Sequence, residues 1–227
     1  MVRGALILVC TEGQTICILF ILGRMKLVSE TVYHIYNQGN NRQKIFYDDK
    51  DYITFLKLYR ELISDNCETL CYCLMPNHFH FLVYATDKSV ETKKLGAIQI
   101  QNLSNGYRLL LSKYAQIINE KRQSSGSLFR QKTKAKEITF EVSNQQISYA
   151  ELCFSYIHNN PIAAGLAKNL SDWEYSSYKD YAGLRKGTLC NQKLTSSLFG
   201  YNMTEKQKTD SSFKFDSEIE KIFFSQK

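Results

Sequence analysis

Two histidines one residue apart, His78 and His80, lie in the run Cys73-Leu74-Met75-Pro76-Asn77-His78-Phe79-His80-Phe81-Leu82-Val83. Side chains of an extended strand alternate between faces, so both imidazoles project to one side while Phe79, Phe81 and Val83 line the other. Two imidazoles held rigidly on one face make half of a metal site. The competing account is a pair of ordinary strand histidines. Three features favour ligation: the chain has only four histidines, the phenylalanine face already supplies the core side, and His78 follows directly on a Pro76-Asn77 turn.

A second pair comes from helix spacing. Tyr156 and Asn160 are i and i+4, so a phenol and an amide project from one helix face. If that helix crosses the open face of the sheet, both reach an ion held by His78 and His80. Core packing is the alternative for a tyrosine near a helix end, and the pairing with His-x-His is what raises its interest. Zinc is a rival to a harder ion, because Cys71 and Cys73 lie on the strand preceding His78. A two-residue turn at Pro76-Asn77 sets Cys73 opposite His80 and Cys71 opposite Leu82. That register places Cys71 roughly 13 Å along the sheet from His78 at about 3.4 Å per residue, too far for one zinc shell, while Cys73 alone could still approach the ion.

The elements that must position these groups read as an α+β, ferredoxin-like antiparallel sheet, a split β-α-β arrangement with an added C-terminal helix carrying the tyrosine. Val32 to Asn37 is a strand closed by the Gln38-Gly39-Asn40-Asn41 turn. Asp48 or Asp49 caps a helix to about Ser64, with Tyr52, Phe55, Leu56, Tyr59, Leu62 and Ile63 at helical spacing. Thr69 to Met75 and His78 to Tyr84 are strands, Leu95 to Arg122 is helical in one or two pieces, and Lys132 to Phe140 is a fourth strand. A further helix starts near Ser143, where Ser143-x-x-Gln146 reads as a capping box, and is expected to stop about Asn160 because Pro161 follows. Tyr175, Tyr178 and Tyr181 are expected to pack back, and the stretch from Gly183 to Lys227 is weakly patterned.

The 227 residues, 44% of them apolar, are enough for a real core, and a net charge of +7 makes a polyanionic partner plausible without deciding it. Seven cysteines are an odd number. With Cys67, Cys71 and Cys73 crowded in one apolar segment, a reducing compartment fits better than a disulfide framework. The apolar runs Ala5 to Cys10 and Ile16 to Leu22 each fall well short of the roughly 20 residues that span a bilayer, so no membrane role is expected. Met25 reads as the natural start, residues 1–24 as a leader, 25–182 as the functional domain, and 183–227 as a tail of unassigned role.

In order along the chain, four motifs together resemble the HUH (His-hydrophobic-His) superfamily of single-tyrosine transposases, particularly the REP-associated tyrosine transposases. They are Tyr33-His34-Ile35-Tyr36-Asn37-Gln38-Gly39-Asn40-Asn41-Arg42, Leu74-Met75-Pro76-Asn77-His78-Phe79-His80, Gly126-Ser127-Leu128-Phe129, and Tyr156 through Leu166 with Trp173 after it. The resemblance implies a metal-dependent endonuclease and strand transferase acting on single-stranded or hairpin DNA. It makes Tyr156 the nucleophile, His78 and His80 metal ligands, Asn160 a candidate third ligand, and a 5′-phosphotyrosine the intermediate. Mg²⁺ or Mn²⁺ is the ion expected with that shell. It also implies a bacterial cytoplasmic protein, nucleoid-associated when bound to DNA, and either a monomer or a homodimer.

Basic residues follow the Gly126 loop as Arg130, Lys132, Lys134 and Lys136, the last three alternating onto one strand face. They read either as a phosphate-tracking groove or as an edge strand protected by lysines. Arg42 is a further candidate DNA contact, although turn formation explains its neighbours Asn37, Asn40 and Asn41 almost as well. After the Gly126 loop the family tends to place glutamine before an arginine, where this chain has Arg130-Gln131-Lys132. His34 is expected to pack or to support the site from the first strand, and His158 to face away from it. Two rivals to cleavage remain: a domesticated DNA-binding module without cleavage, and a hydrolase in which Tyr156 is structural.

Overall fold

The computed structural model describes residues 25–138 and 149–199, and everything below concerns these residues. The expected leader, the end of the fourth strand at Phe140, the Ser143 capping box and the chain after Phe199 lie outside them. The first strand, β1 (Thr31–Gln38), is rich in β-branched and aromatic residues and runs into a tight loop at Gly39. A side chain at Gly39 would meet the Gln43 carbonyl at 2.1 Å, so glycine is the residue that lets the loop fold back. Helix α1 (Asp49–Leu62) opens on a reciprocal cap: the Asp48 carboxylate accepts from the Asp51 amide, and Asp51 from that of Asp48.

Strands β2 (Glu68–Met75) and β3 (His78–Ala85) form a hairpin across Pro76-Asn77. Its register pairs Met75 with His78, Cys73 with His80 and Cys71 with Leu82, with a bulge between Thr69 and Cys71. A single turn, α2 (Asp87–Val90), follows. The next segment corrects the expectation of a helix from Leu95. Residues there form the hairpin β4 (Thr92–Leu95) and β5 (Ile98–Gln101), and α3 (Asn102–Arg122) begins only after it. Gly96 at φ +59° makes the two-residue turn, and the polar-apolar alternation of Ile98-Gln99-Ile100-Gln101 suits a strand better than a helix.

Strand β6 (Lys134–Ile138) completes a four-stranded antiparallel sheet in the order β2-β3-β1-β6, the ferredoxin-like order for a split β-α-β unit. Helices α1 and α3 cover one face with an aromatic core. Tyr59 stacks on Phe81 at 4.0 Å, and Phe55 meets Phe79 and Tyr114 at 5.2 and 5.0 Å, all buried. Lys121 near the end of α3 reaches both caps of α1, at 2.8 Å from Asp48 and 2.6 Å from Asp51.

The other face is crossed by α4 (Tyr149–Ala163), which packs on β2, β3 and β6. This helix runs past the expected stop at Asn160. Pro161 costs only the hydrogen bond its nitrogen would donate. Near the helix end the following residues still close the turn, with Ala164 N–H donating to the Asn160 carbonyl and Leu166 to that of Pro161. What fixes α4 on the sheet is the chain after it. Tyr175 to Ser177 lies along the outer edge of β2, with Leu74 N–H donating to Tyr175 and Ser177 N–H to Tyr72. The Ser177 hydroxyl accepts from the Tyr72 amide at 2.9 Å and lies 2.8 Å from His158 Nε2, joining strand, edge segment and helix.

Two short helices end the described chain, α5 (Tyr178–Tyr181) and α6 (Gln192–Phe199). Arg185 grips the buried Asp180 carboxylate through two nitrogens at 2.6 and 3.0 Å and also donates to Tyr72. From Gly183 to Phe199 the chain docks on the fold: Cys190, Thr195 and Phe199 are buried against the same core, and Asn191 N–H donates to the Thr69 carbonyl on β2. Among the described residues no helix is long and apolar enough to cross a membrane.

Candidate functional site

Strand alternation and register determine which side chains share the α4 face. From the β2 edge across to the β6 edge, one row is Cys73, His80, Tyr36 and Lys134, and the next is Cys71, Leu82, His34 and Lys136. His78 stands one row nearer the loop end, beside Met75 and Gln38. Against these rows α4 sets Tyr156 and Asn160. The Tyr156 ring meets His80 edge-on at 5.6 Å and His34 at 6.2 Å. Asn160 stands beside the His78 imidazole, so the four residues singled out from spacing alone come together.

Several contacts orient these groups. Asn160 Nδ2 donates to the Tyr156 carbonyl at 2.8 Å, which turns its Oδ1 outward from the helix. His78 Nδ1 lies 2.6 Å from Asn77 Oδ1, an atom that only accepts, so His78 is protonated on Nδ1 and its lone pair is on Nε2. His80 Nδ1 lies 2.8 Å from His34 Nε2. His78 and His80 are 4.9 Å apart between ring centres and nearly perpendicular.

Burial sets the electrostatics. It pushes the His78 pKa down to about 4, partly offset by the acceptor that Asn160 offers the charged ring, and His34 down to about 3, with Lys136 adding to the effect. His80 falls well below the ordinary value through burial and then its two histidine neighbours. All three rings are neutral at pH 7, the form that binds a metal. Burial raises the Cys73 thiol well above its usual range. Cys71 is packed opposite Leu82, away from His78, and is strand packing, while Cys73 lies buried opposite His80.

Among the described residues, no three histidine, cysteine or carboxylate side chains form a group that could hold a metal. Two imidazole nitrogens and one amide oxygen nevertheless fit a divalent ion that completes its shell with water and phosphate oxygen. That protein shell is uncharged. An ion there would keep its full charge for the phosphate, and protein and phosphate would bind it together.

The basic candidates are spread more widely. Lys134 and Lys136 project on the α4 face, Lys134 exposed beside Tyr36 and Lys136 half-buried near His34 and Cys153. Lys132 and Arg130 are exposed but precede the strand. The expected pairing from Lys132 fails because the Asn37 amide takes over there, donating to the Arg130 carbonyl and the Thr133 hydroxyl at 3.2 and 3.1 Å. Asn37 is thus a buried structural residue. Arg42 is exposed in a left-handed conformation at the loop end of the sheet, and its carbonyl accepts from Asn77 Nδ2 at 3.3 Å, next to His78. His158 is buried on the far side of α4 against Tyr178 and Tyr181, and supports the fold.

Two residues at the site do not follow from spacing. Tyr36 is half-buried, stacks on His34 at 4.8 Å and lies 5.9 Å from His80. Its alternation with His34 was visible, but its relevance depends on β1 lying next to β3. Asn77 reads from the sequence only as a turn residue, yet it holds His78, and His34, expected to pack or to support the site, lies directly against His80.

No family model matches the chain, and no curated protein does. Among solved structures, it is similar to a REP-associated tyrosine transposase bound to a REP hairpin, at 13% identity and a TM-score of 0.48, over 70% of this chain and 84% of that one. It is also similar to a bacterial tRNA(His) guanylyltransferase-like protein in complex with GTP, at 12% identity and a TM-score of 0.34, over 61% of this chain and 72% of that one. The complex of such a protein with ATP gives 13% identity and a TM-score of 0.34, over 66% and 71%.

Proposed function

We propose that the chain is a DNA strand transferase that nicks single-stranded or hairpin DNA through Tyr156 with a divalent ion, Mg²⁺ or Mn²⁺, at His78, His80 and Asn160. The observation that carries this reading is the convergence of those four side chains on one sheet face from a hairpin and a helix far apart in sequence. The ordered motifs shared with single-tyrosine transposases support the substrate class.

In the proposed step the Tyr156 oxygen attacks phosphorus, the bond to the 3′-oxygen breaks, and that oxygen leaves as a 3′-hydroxyl while the phenol gives up its proton. The product is a 5′-phosphotyrosine. A bound ion supplies electrostatic stabilisation of the charge that develops on the phosphate. His78, His80 and Asn160 hold it, Asn77 orients His78, and Lys134 with Arg42 lie where they can draw phosphates to the two ends of the site. Because the link conserves the bond energy, attack by another 3′-hydroxyl reverses it without a nucleotide cofactor. Tyr156 is only 4% exposed, so attack also needs local opening of α4 as DNA binds.

That burial favours one second reading, a hairpin-binding module on the same fold that does not cleave. Labelled hairpin DNA incubated with the protein and Mn²⁺ separates the two on a denaturing gel. Strand transfer predicts a protein-linked band that Tyr156→Phe removes while hairpin binding is kept. Binding without any linked band in the wild type would establish the module instead, and free ends without a linked band would indicate a hydrolase.

A further inference from the structure

Ligation by His80 depends on where its single proton sits. We propose that His34 is a positioning residue that accepts a hydrogen bond from Nδ1–H of His80 and so keeps the His80 Nε2 lone pair turned toward the divalent-cation site. The inference rests on the metal reading above and assigns His34 a part in it.

The contact is linear. His34 Nε2 and His80 Nδ1 are 2.8 Å apart, and the two ring centres are 5.0 Å apart with the planes inclined by 25°. Subtracting one ring radius of about 1.1 Å at each end leaves little more than the nitrogen separation, so both nitrogens lie on the line between the centres, as a strong hydrogen bond requires. A shared ion would stand about 2.1 Å from each nitrogen and would splay them apart. A proton fits this gap and an ion does not.

Both rings are fully buried, at 0% and 1% exposure, and two ring nitrogens 2.8 Å apart hold one proton between them, because two lone pairs would repel and two hydrogens would clash. If His34 donated it, the remaining proton of His80 would sit on Nε2 and block ligation. If His80 donates, Nε2 is left as the ligating atom, and His34 carries its own proton on Nδ1. Asn77 gives His78 the same protonation from an amide oxygen. Both ligand rings are thus held through Nδ1, by two different neutral acceptors. Neutral acceptors enrich a ligand nitrogen less than a carboxylate would, which suits an ion shared with phosphate. Tyr36, stacked on His34, and Leu82, opposite it in the ladder, keep the acceptor ring in place.

The test uses the full chain. Imidazole nitrogen NMR on the unliganded wild type is expected to find His80 protonated at Nδ1. His34→Phe, which keeps a flat ring and removes the acceptor, is expected to weaken Mn²⁺ binding in the presence of hairpin DNA by about 10- to 100-fold, read by electron paramagnetic resonance. His34→Gln can place an amide oxygen near the lost nitrogen and is expected to recover most of that loss. Protonation of His80 at Nε2 in the wild type, or unchanged Mn²⁺ affinity in a folded His34→Phe, would overturn the inference while leaving the metal site intact. The Nδ1 form in a wild type that takes up no Mn²⁺ beside DNA would instead overturn the metal reading, and His34 would be a packing residue. The nitrogen spectrum needs no variant, so the inference stays open to refutation even if His34→Phe fails to fold.

Discussion

The two faces of the sheet are built from opposite materials. Under α1 and α3 lie Phe55, Tyr59, Phe79, Phe81, Tyr107 and Tyr114, an aromatic layer with the density of an ordinary core. Under α4 lie His34, Tyr36, His78, His80, Cys73, Lys134 and Lys136, with Tyr156 and Asn160 above them. All four histidines of the chain stand on that second side, His158 on α4 itself. The contrast sets a layer that supplies folding energy against one that carries the groups of the proposed chemistry.

The sharpest way to break this division is to change one group on each side. Tyr156→Phe is expected to abolish the protein–DNA adduct while its unfolding free energy stays within about 1 kcal/mol of wild type, as denaturant titration would show. Phe81→Ala on the opposite face is expected to cost about 3–5 kcal/mol, yet the molecules still folded should form adduct at the normal rate. If Phe81→Ala destroyed the chemistry in folded protein, or Tyr156→Phe cost as much stability as Phe81→Ala, the two faces would not be separable in this way.

Acid probes the same division. His34, His78, His80 and His158 all ionise below 6.5 in the folded chain, at about 3 to 4 where a value is set. The unfolded chain therefore takes up protons first as pH falls. Stability from these groups is complete above about pH 6.5 and is lost on descending toward pH 4, by up to about 1.4 kcal/mol per pH unit for each histidine. Denaturation series at pH 8, 6.5 and 5 should show a flat upper range and a steep lower one. A profile that rose on acidification would mean that the rings are charged in the fold.

Smaller effects separate residues within the α4 face. Tyr36 has its phenol raised by burial and is read as lining rather than nucleophile, so Tyr36→Phe is expected to slow adduct formation by less than about tenfold, in labelled-hairpin time courses. Lys134→Ala should weaken single-strand binding and reduce the salt dependence of log affinity by about 0.7, the share of one phosphate contact. An unchanged salt slope would return Lys134 to the role of edge protection.

Much of this arrangement was legible from spacing because it depends on short-range rules. Period-two alternation placed His78 and His80 together, a two-residue turn set Cys73 against His80, and the i, i+4 rule put Tyr156 beside Asn160. What escaped depended on neighbours distant in sequence. His34 bonds His80 across the β1–β3 ladder although Leu82 is its register partner, so the contact follows from side-chain direction and not from pairing. Asn37 displaces the start of β6 through side-chain hydrogen bonds to residues more than ninety positions away. The β4–β5 hairpin was hidden by apolar residues that also suit a helix, with Gly96 the one local sign against it. The segment to Phe199 was missed because its burial comes from scattered residues docking on β2 and α4, a pattern with no period.

The central claim is that the phenol of one particular tyrosine becomes bonded to DNA. The protein would be incubated with hairpin DNA and Mn²⁺, digested with protease and nuclease, and its modified peptide sequenced by mass spectrometry. The account predicts a nucleotide 5′-phosphate on Tyr156. A nucleotide on Tyr36 or any other residue, or cleaved DNA with no modified peptide, would contradict it.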